Sequence, residues 1–95
     1  MAEYRVTWWA EIPSLVTARD ASGATAKVQL PDRFQEAIDE AAMRRGMAGS
    51  DAYLEQWHHD EWREDGGSAE EVAGRVAAEL DAQHPPDRLA GMVGG

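Results

Sequence analysis

The first thirty residues alternate between apolar and polar side chains with the period of two that is typical of β-strands. One such segment covers residues 4–9, a second covers residues 15–19 and a third covers residues 25–30. Pro13 separates the first two, because proline cannot donate a hydrogen bond within a central strand. Gly23 lies in the loop between the last two. The pattern predicts three antiparallel strands, of which the second and third form a hairpin.

From Asp32 onward the apolar positions recur every three or four residues, which is the period of an amphipathic helix. Pro31 ends the preceding strand, and Asp32 with Gln35 has the spacing of a capping box. Gly46 is a typical helix terminator. We therefore predict a core-facing helix of about four turns. Its apolar face consists of Phe34, Ala37, Ile38, Ala41 and Ala42.

Two further helices are predicted from their caps. Ser50 is a favourable N-cap for a second helix, which we expect to continue to the glycine pair 66–67. Ser68 begins a capping box and opens a third helix over residues 68–83. The proline pair 85–86 then stops that helix.

These elements predict an α+β fold in which a small antiparallel three-stranded sheet is followed by three helices packed on one face. The first two helices are expected on the sheet face that carries Val6 and Val28. A chain of 95 residues has room for one hydrophobic core. We assign residues 1–83 to a single domain and residues 84–95 to a flexible C-terminal tail.

The formal net charge of −9 is unevenly distributed. Residues 32–66 contain ten acidic and four basic side chains, whereas residues 1–31 contain three of each. Nucleic-acid phosphates bind clustered lysine and arginine, and this chain has a single lysine. We therefore expect no nucleic-acid partner, and an acidic surface on the helical half.

The compartment is predicted from three features. There is no cysteine, which fits a reducing environment. No run of about 18 apolar residues is present, so we expect no membrane span. The N-terminal sequence lacks the basic-then-apolar order of a signal peptide. Together they predict a cytoplasmic protein.

The densest group of metal-ligating residue types lies around His58 and His59. On a helix, adjacent side chains diverge by about 100°, so these two histidines cannot easily hold one ion. Glu55 and His59 have a feasible spacing but supply only two ligands. We predict no metal and no cofactor, with Glu55, His58 and His59 as weak candidates. The serines lie in turn or cap positions, and no catalytic residue is assigned.

Four tryptophans in an acidic chain of 95 residues are too many for one small core. Alternation places Trp8 with Val6 toward the core and Trp9 with Arg5 on the outer sheet face. Tryptophan and tyrosine are the residue types that interfaces favour as anchors. We predict that Arg5, Trp9 and Ile12 form a partner-binding patch. Burial of Trp9 beneath the third helix or the tail is the alternative.

Met43 and Met47 lie opposite Phe34 on the wheel of the first helix. Methionine is flexible and polarisable, so it suits both irregular cores and adaptable binding surfaces. We expect the pair to pack beneath another helix or to form a soft contact surface.

Three ordered motifs resemble the small bacterial "virulence factor" domain, which also occurs in the larger conserved virulence factor C proteins. They are W-x-x-I-P-S-x-V at residues 9–16, L-P-x-R-F-Q-E-A-I-D-x-A-A-M-R at residues 30–44 and S-D-A-Y-L-E-x-W at residues 50–57. The resemblance covers residues 4–63 and leaves the helix at 68–83 outside.

The resemblance implies no assigned reaction. In larger members the domain accompanies scaffold-type segments, which implies an interaction module. We therefore expect a non-catalytic acidic accessory protein that binds a protein partner, or itself, through an aromatic surface. The alternative is an accessory subunit that contributes to an enzyme active site, in folate or corrinoid one-carbon transfer. In that case Glu55, His58 or His59 would supply a ligand or a proton.

Overall fold

Residues 1–94 are described by a computed structural model, and they form an α+β fold with an antiparallel sheet. The first three strands are β1 (Ala2–Trp9), β2 (Ile12–Asp20) and β3 (Thr25–Gln29), and they form the meander that the alternating pattern predicts. The remaining elements, in chain order, are α1 (Asp32–Arg44), α2 (Asp51–Glu55), β4 (Trp57–His59), β5 (Arg63–Asp65), α3 (Ala69–Gln83) and α4 (Pro86–Gly94).

The pairing of β1 with β2 contains an irregularity near Pro13. Val6 lies opposite Val16, but Trp8 lies opposite Pro13, so Ser14 is an extra residue in β2. Such a β-bulge disrupts the ladder locally and lets a strand accommodate a proline. The strand therefore begins at Ile12 and runs through the proline that was predicted to separate the two strands.

Residues 57–65 form two short strands where the sequence predicts the second half of a helix. Both pair antiparallel with β1: β4 lies along residues 7–9 and β5 along residues 2–4. The prediction of a helix that continues to Gly66 is therefore wrong beyond Glu55. Without β4 and β5, the N–H and C=O groups on one edge of β1 would lack partners in the sheet. This pairing, together with the aromatic residues of the segment, overrides its helical pattern.

The helix that covers the sheet is α3, which contacts β1, β2 and β3. It lies against the face that carries Val6, while α1 makes its main contacts with β2 and α4. The expectation that the second helix covers this face is wrong, because α2 contacts β4 and lies against Trp9 through Tyr53, whereas the apolar residues of α1 share the core with Val6. The apolar stripe of α3 runs along the length of the helix, and every turn of it is buried. The stripe consists of Ala69, Val72, Ala73, Val76, Ala77 and Leu80.

The segment that was assigned to a flexible tail, residues 84–95, contains helix α4. Proline is favourable in the first turn of a helix, and Pro86 begins this one. Leu89 and Val93 are buried, and α4 packs along α1. The predicted tail is therefore a packed helix over residues 86–94, and Gly95 lies outside the described residues.

Candidate functional site

Two of the three residues predicted to form a partner-binding patch are fully buried. Trp9 and Ile12 lie opposite each other in β1 and β2, and neither exposes any surface. The Trp9 Nε1–H donates a hydrogen bond to the Tyr53 carbonyl at 3.0 Å. The Tyr53 ring lies 5.7 Å from the indole, and the Arg45 guanidinium carbon lies 5.6 Å from it. The prediction that Trp9 and Ile12 are exposed on the outer sheet face is wrong.

The alternation in β1 nevertheless holds. Trp8 lies in a groove with Val6 and with Val76 of α3, on the covered face of the sheet. Trp9 shares the opposite face with Arg5, as the pattern predicts. The cover over Trp9 comes from α2 and from the chain between α1 and α2, through Tyr53 and Arg45. The sequence pattern had indicated only the third helix and the tail as possible covers.

Arg5, the third predicted residue, lies at the other end of the same sheet face. Its guanidinium carbon is 4.7 Å from the centre of the Trp62 ring, and that of Arg19 is 3.8 Å from the same ring. Arg19 is fixed by an ion pair with Glu3 at 3.0 Å. We call the group formed by Arg5, Arg19 and Trp62 the arginine–tryptophan face. Its side chains keep part of their surface in solvent.

Trp62 was not predicted as a site residue because the helical pattern placed it on the second helix. It lies between β4 and β5, both of which pair with β1, and this position brings it over Arg5. The sequence carried one relevant signal, which was the unusual number of tryptophans. The pairing that positions Trp62 is tertiary and has no local sequence signature.

The arginine–tryptophan face continues into a row of polar side chains across the strands. Thr17 of β2 lies opposite Arg5 on one side and Lys27 of β3 on the other. Beside this row, the Thr7 hydroxyl and the His59 Nδ1 are 2.9 Å apart. The row places two cations on one face of a protein whose formal net charge is −9.

The weak metal candidates do not converge in the structure. His58 lies opposite Trp8 and His59 lies opposite Thr7, so β4 directs the two imidazoles to opposite faces. The His58 Nε2 is 2.8 Å from the Ala10 carbonyl oxygen. Within residues 1–94, no three histidine or carboxylate side chains are grouped so that they could hold a metal ion.

Two ion pairs that lie outside the arginine–tryptophan face lower the pKa values of their carboxyl groups. A hydrogen bond from Arg45 lowers the pKa of Glu11, which lies in the turn after β1. A hydrogen bond from Arg75 of α3 lowers the pKa of Asp65 in β5. The first pair joins the β1–β2 turn to the chain that covers Trp9. The second joins α3 to the edge of the sheet.

Each helix within residues 1–94 is too short or too polar to cross a bilayer.

Comparison with known proteins gives one family. The family model described as "Virulence factor" matches residues 7–93. The match includes α3 and α4, which lie beyond the residues 4–63 on which the resemblance was based. No curated protein and no solved structure gives a significant match.

Proposed function

The chain belongs to the virulence factor family, and on that premise we propose that it is a non-catalytic accessory protein that binds a protein partner. The binding surface is the arginine–tryptophan face. One observation carries the proposal: two guanidinium groups lie against one partly exposed indole on a sheet face opposite α3. Tryptophan and arginine are the residue types most enriched among energetically dominant interface residues.

The packing of this group favours binding because it restricts the side chains before a partner arrives. Ordering a flexible side chain at an interface costs about 0.5–1.5 kcal/mol. Arg19 is already held by Glu3, and Trp62 is already held by Arg5 and Arg19. A partner that contacts the indole therefore meets a surface whose ordering cost has largely been met on folding.

The charge distribution determines how a partner would be oriented. Arg5 and Lys27 line one row of this face, whereas helix α1 carries four acidic side chains against two basic ones. Complementary potentials guide the encounter and fix the relative orientation of two proteins. A partner fits this face if it has an apolar pocket for the Trp62 ring, bordered by carboxylates or carbonyl oxygens that accept hydrogen bonds from the arginines.

The alternative function, a contribution to an enzyme active site in one-carbon transfer, draws less support from the geometry. It requires Glu55, His58 or His59 to supply a ligand or a proton. Strand β4 separates the two histidines onto opposite faces, and His58 is already in contact with the Ala10 carbonyl.

Binding measurements on matched variants test the proposal. The native protein is used to capture its partner from its own organism, and the purified partner is then titrated with each variant. We expect Trp62→Ala to weaken the complex by tenfold or more and Arg19→Gln to weaken it severalfold. The matched control is Arg75→Gln, because Arg75 is as exposed as Arg19 and is also held by one carboxylate.

The proposal fails if the partner binds Trp62→Ala as tightly as the native protein. It also fails if Arg75→Gln weakens the complex as much as Arg19→Gln does, because the effect would then be a general loss of charge. Sedimentation of the native protein alone shows whether the partner is a second copy.

A further inference from the structure

A second surface lies on the helical side of the molecule, at the junction of α1 and α2. Met43 on α1 and Leu54 on α2 are each 65% exposed. Met43 and Tyr53 line a cavity of about 280 Å³. We call the cavity-lining residues Met43 and Tyr53, together with the exposed Leu54 that follows Tyr53 on α2, the methionine patch. Met47, the other half of the predicted methionine pair, packs against the core.

Carboxylates border the methionine patch. Asp39 lines the cavity directly, and both Asp39 and Glu40 precede Met43 by one helical turn. On α2, Asp51 has the same one-turn spacing from Leu54. Among residues 1–94, Glu40 is the one of these acids that is held in an ion pair, with Arg44.

We propose that the methionine patch binds an amphipathic helix whose polar face is basic, supplied by a partner protein. An apolar helix face that enters a groove is a common recognition mode, and methionine adapts to side chains of different shapes. The acidic border selects lysine and arginine on the flanks of that helix. This inference concerns a different surface from the arginine–tryptophan face and does not depend on it.

Charge decides against the other possible occupants. A second copy of this chain would bring another net charge of −9 and would place acidic borders against each other. An acidic peptide is disfavoured for the same reason. A basic amphipathic helix satisfies both the apolar centre and the acidic border.

Fluorescence polarisation with a defined probe tests the inference. The probe is a labelled synthetic peptide of leucine and lysine at helical spacing, and the control peptide has the same composition in scrambled order. We expect the native protein to bind the amphipathic peptide at least tenfold more tightly than the scrambled one. The double variant Met43→Ser/Leu54→Ser should lose at least tenfold in affinity, and Asp39→Asn/Asp51→Asn should lose severalfold.

The matched control is Ala78→Ser, because Ala78 is exposed on α3 and lies outside the patch. Two results overturn the inference: binding that is unchanged by Met43→Ser/Leu54→Ser, and equally tight binding of the scrambled peptide. Either result would mean that charge alone accounts for the binding. A dimer of the native protein that dissociates on Met43→Ser/Leu54→Ser also overturns it, because the occupant is then a second copy. Trp62→Ala should leave peptide binding unchanged, because Trp62 belongs to the other surface. The peptide experiment therefore tests the methionine patch separately from the proposed function.

Discussion

Two tryptophan–arginine stacks lie at opposite ends of one sheet face, and they differ in what covers them. At one end Trp9 is fully buried, with Arg45 beside its ring. At the other end Trp62 is partly exposed between Arg5 and Arg19. The side-chain chemistry is the same in both places.

The difference shows that a side chain on this sheet face is buried only where another segment of the chain covers it. The strand alternation alone does not determine its burial. The Trp9 indole lies beneath Tyr53 of α2, and its N–H is satisfied by the Tyr53 carbonyl. An indole that is fully buried and hydrogen-bonded stabilises the fold. The Trp62 ring is partly exposed, so part of its apolar area remains in solvent. The following predictions test this division of roles, from the largest expected effect to the smallest.

Trp9→Ala should destabilise the protein by about 3–5 kcal/mol, because a fully buried large aromatic is lost and a cavity remains. Domains of this size have a total stability of about 5–15 kcal/mol, so the variant should be close to unfolding. Equilibrium unfolding in urea, followed by circular dichroism, measures the change. Trp9→Phe is the matched variant and should lose less. A native-like midpoint for Trp9→Ala would contradict the assignment of Trp9 to the core.

Arg45→Gln should cost about 1–2 kcal/mol, because Arg45 bonds to the Glu11 carboxylate and to the Met92 carbonyl while covering Trp9. Arg19→Gln, the equivalent change in the open stack, should cost less than about 1 kcal/mol because its ion pair is exposed. Melting temperatures should separate the two variants by several degrees. Equal losses would show that the two stacks contribute alike to stability.

Trp62→Ala should lower the free energy of unfolding by about 1 kcal/mol, since two exposed cation–π contacts of about 0.5–1 kcal/mol are lost without opening the core. The measurement is the same urea titration that is used for Trp9→Ala. If the two alanine variants are equally unstable, the open stack is part of the core and the division between the two ends is wrong.

The smallest effect concerns acid pH and the cover over Trp9. Because the Glu11 pKa is lowered in the folded protein, the pair with Arg45 stabilises the fold above the usual carboxyl pKa. This contribution is lost as the pH falls through the lowered value. Since Glu11 is nearly half exposed, it should amount to less than about 1 kcal/mol. Stability measured from neutral to acid pH should therefore converge for the native protein and Glu11→Gln, and a constant difference would contradict this.

The sequence was most informative where local patterns determine structure. The alternation of the first thirty residues predicted three antiparallel strands, and the proline and the apolar stripe predicted α1 over Asp32–Arg44. In each case the signal lies within the element itself. The capping serine of α3 was also identified, and the Ser68 hydroxyl accepts the bond from the Glu71 N–H. The predicted capping box at Asp32 and Gln35 is wrong, because Pro31 is the N-cap and Gln35 bonds to Asp39.

The sequence was uninformative where distant segments decide the outcome. Residues 57–59 carry an aromatic pattern that suits either a helix or a strand, and pairing with β1 selects the strand. Trp9 follows the predicted alternation, yet its exposure depends on Tyr53, which is 44 positions away. For the same reason the partner surface predicted at Trp9 is instead proposed at Trp62.

The position of β1 between β2 and the later strands has a consequence for the time course of folding during synthesis. The hairpin with β2 can close early, but His59 follows its partner Thr7 by 52 positions. At about 5–20 residues per second, the ribosome needs roughly 3–10 s to supply that segment. Throughout this interval one edge of the first strand lacks its partners and is open to other chains. Glu3 and Arg5 in that strand place charge there, and charged side chains discourage pairing with foreign strands until β4 and β5 arrive.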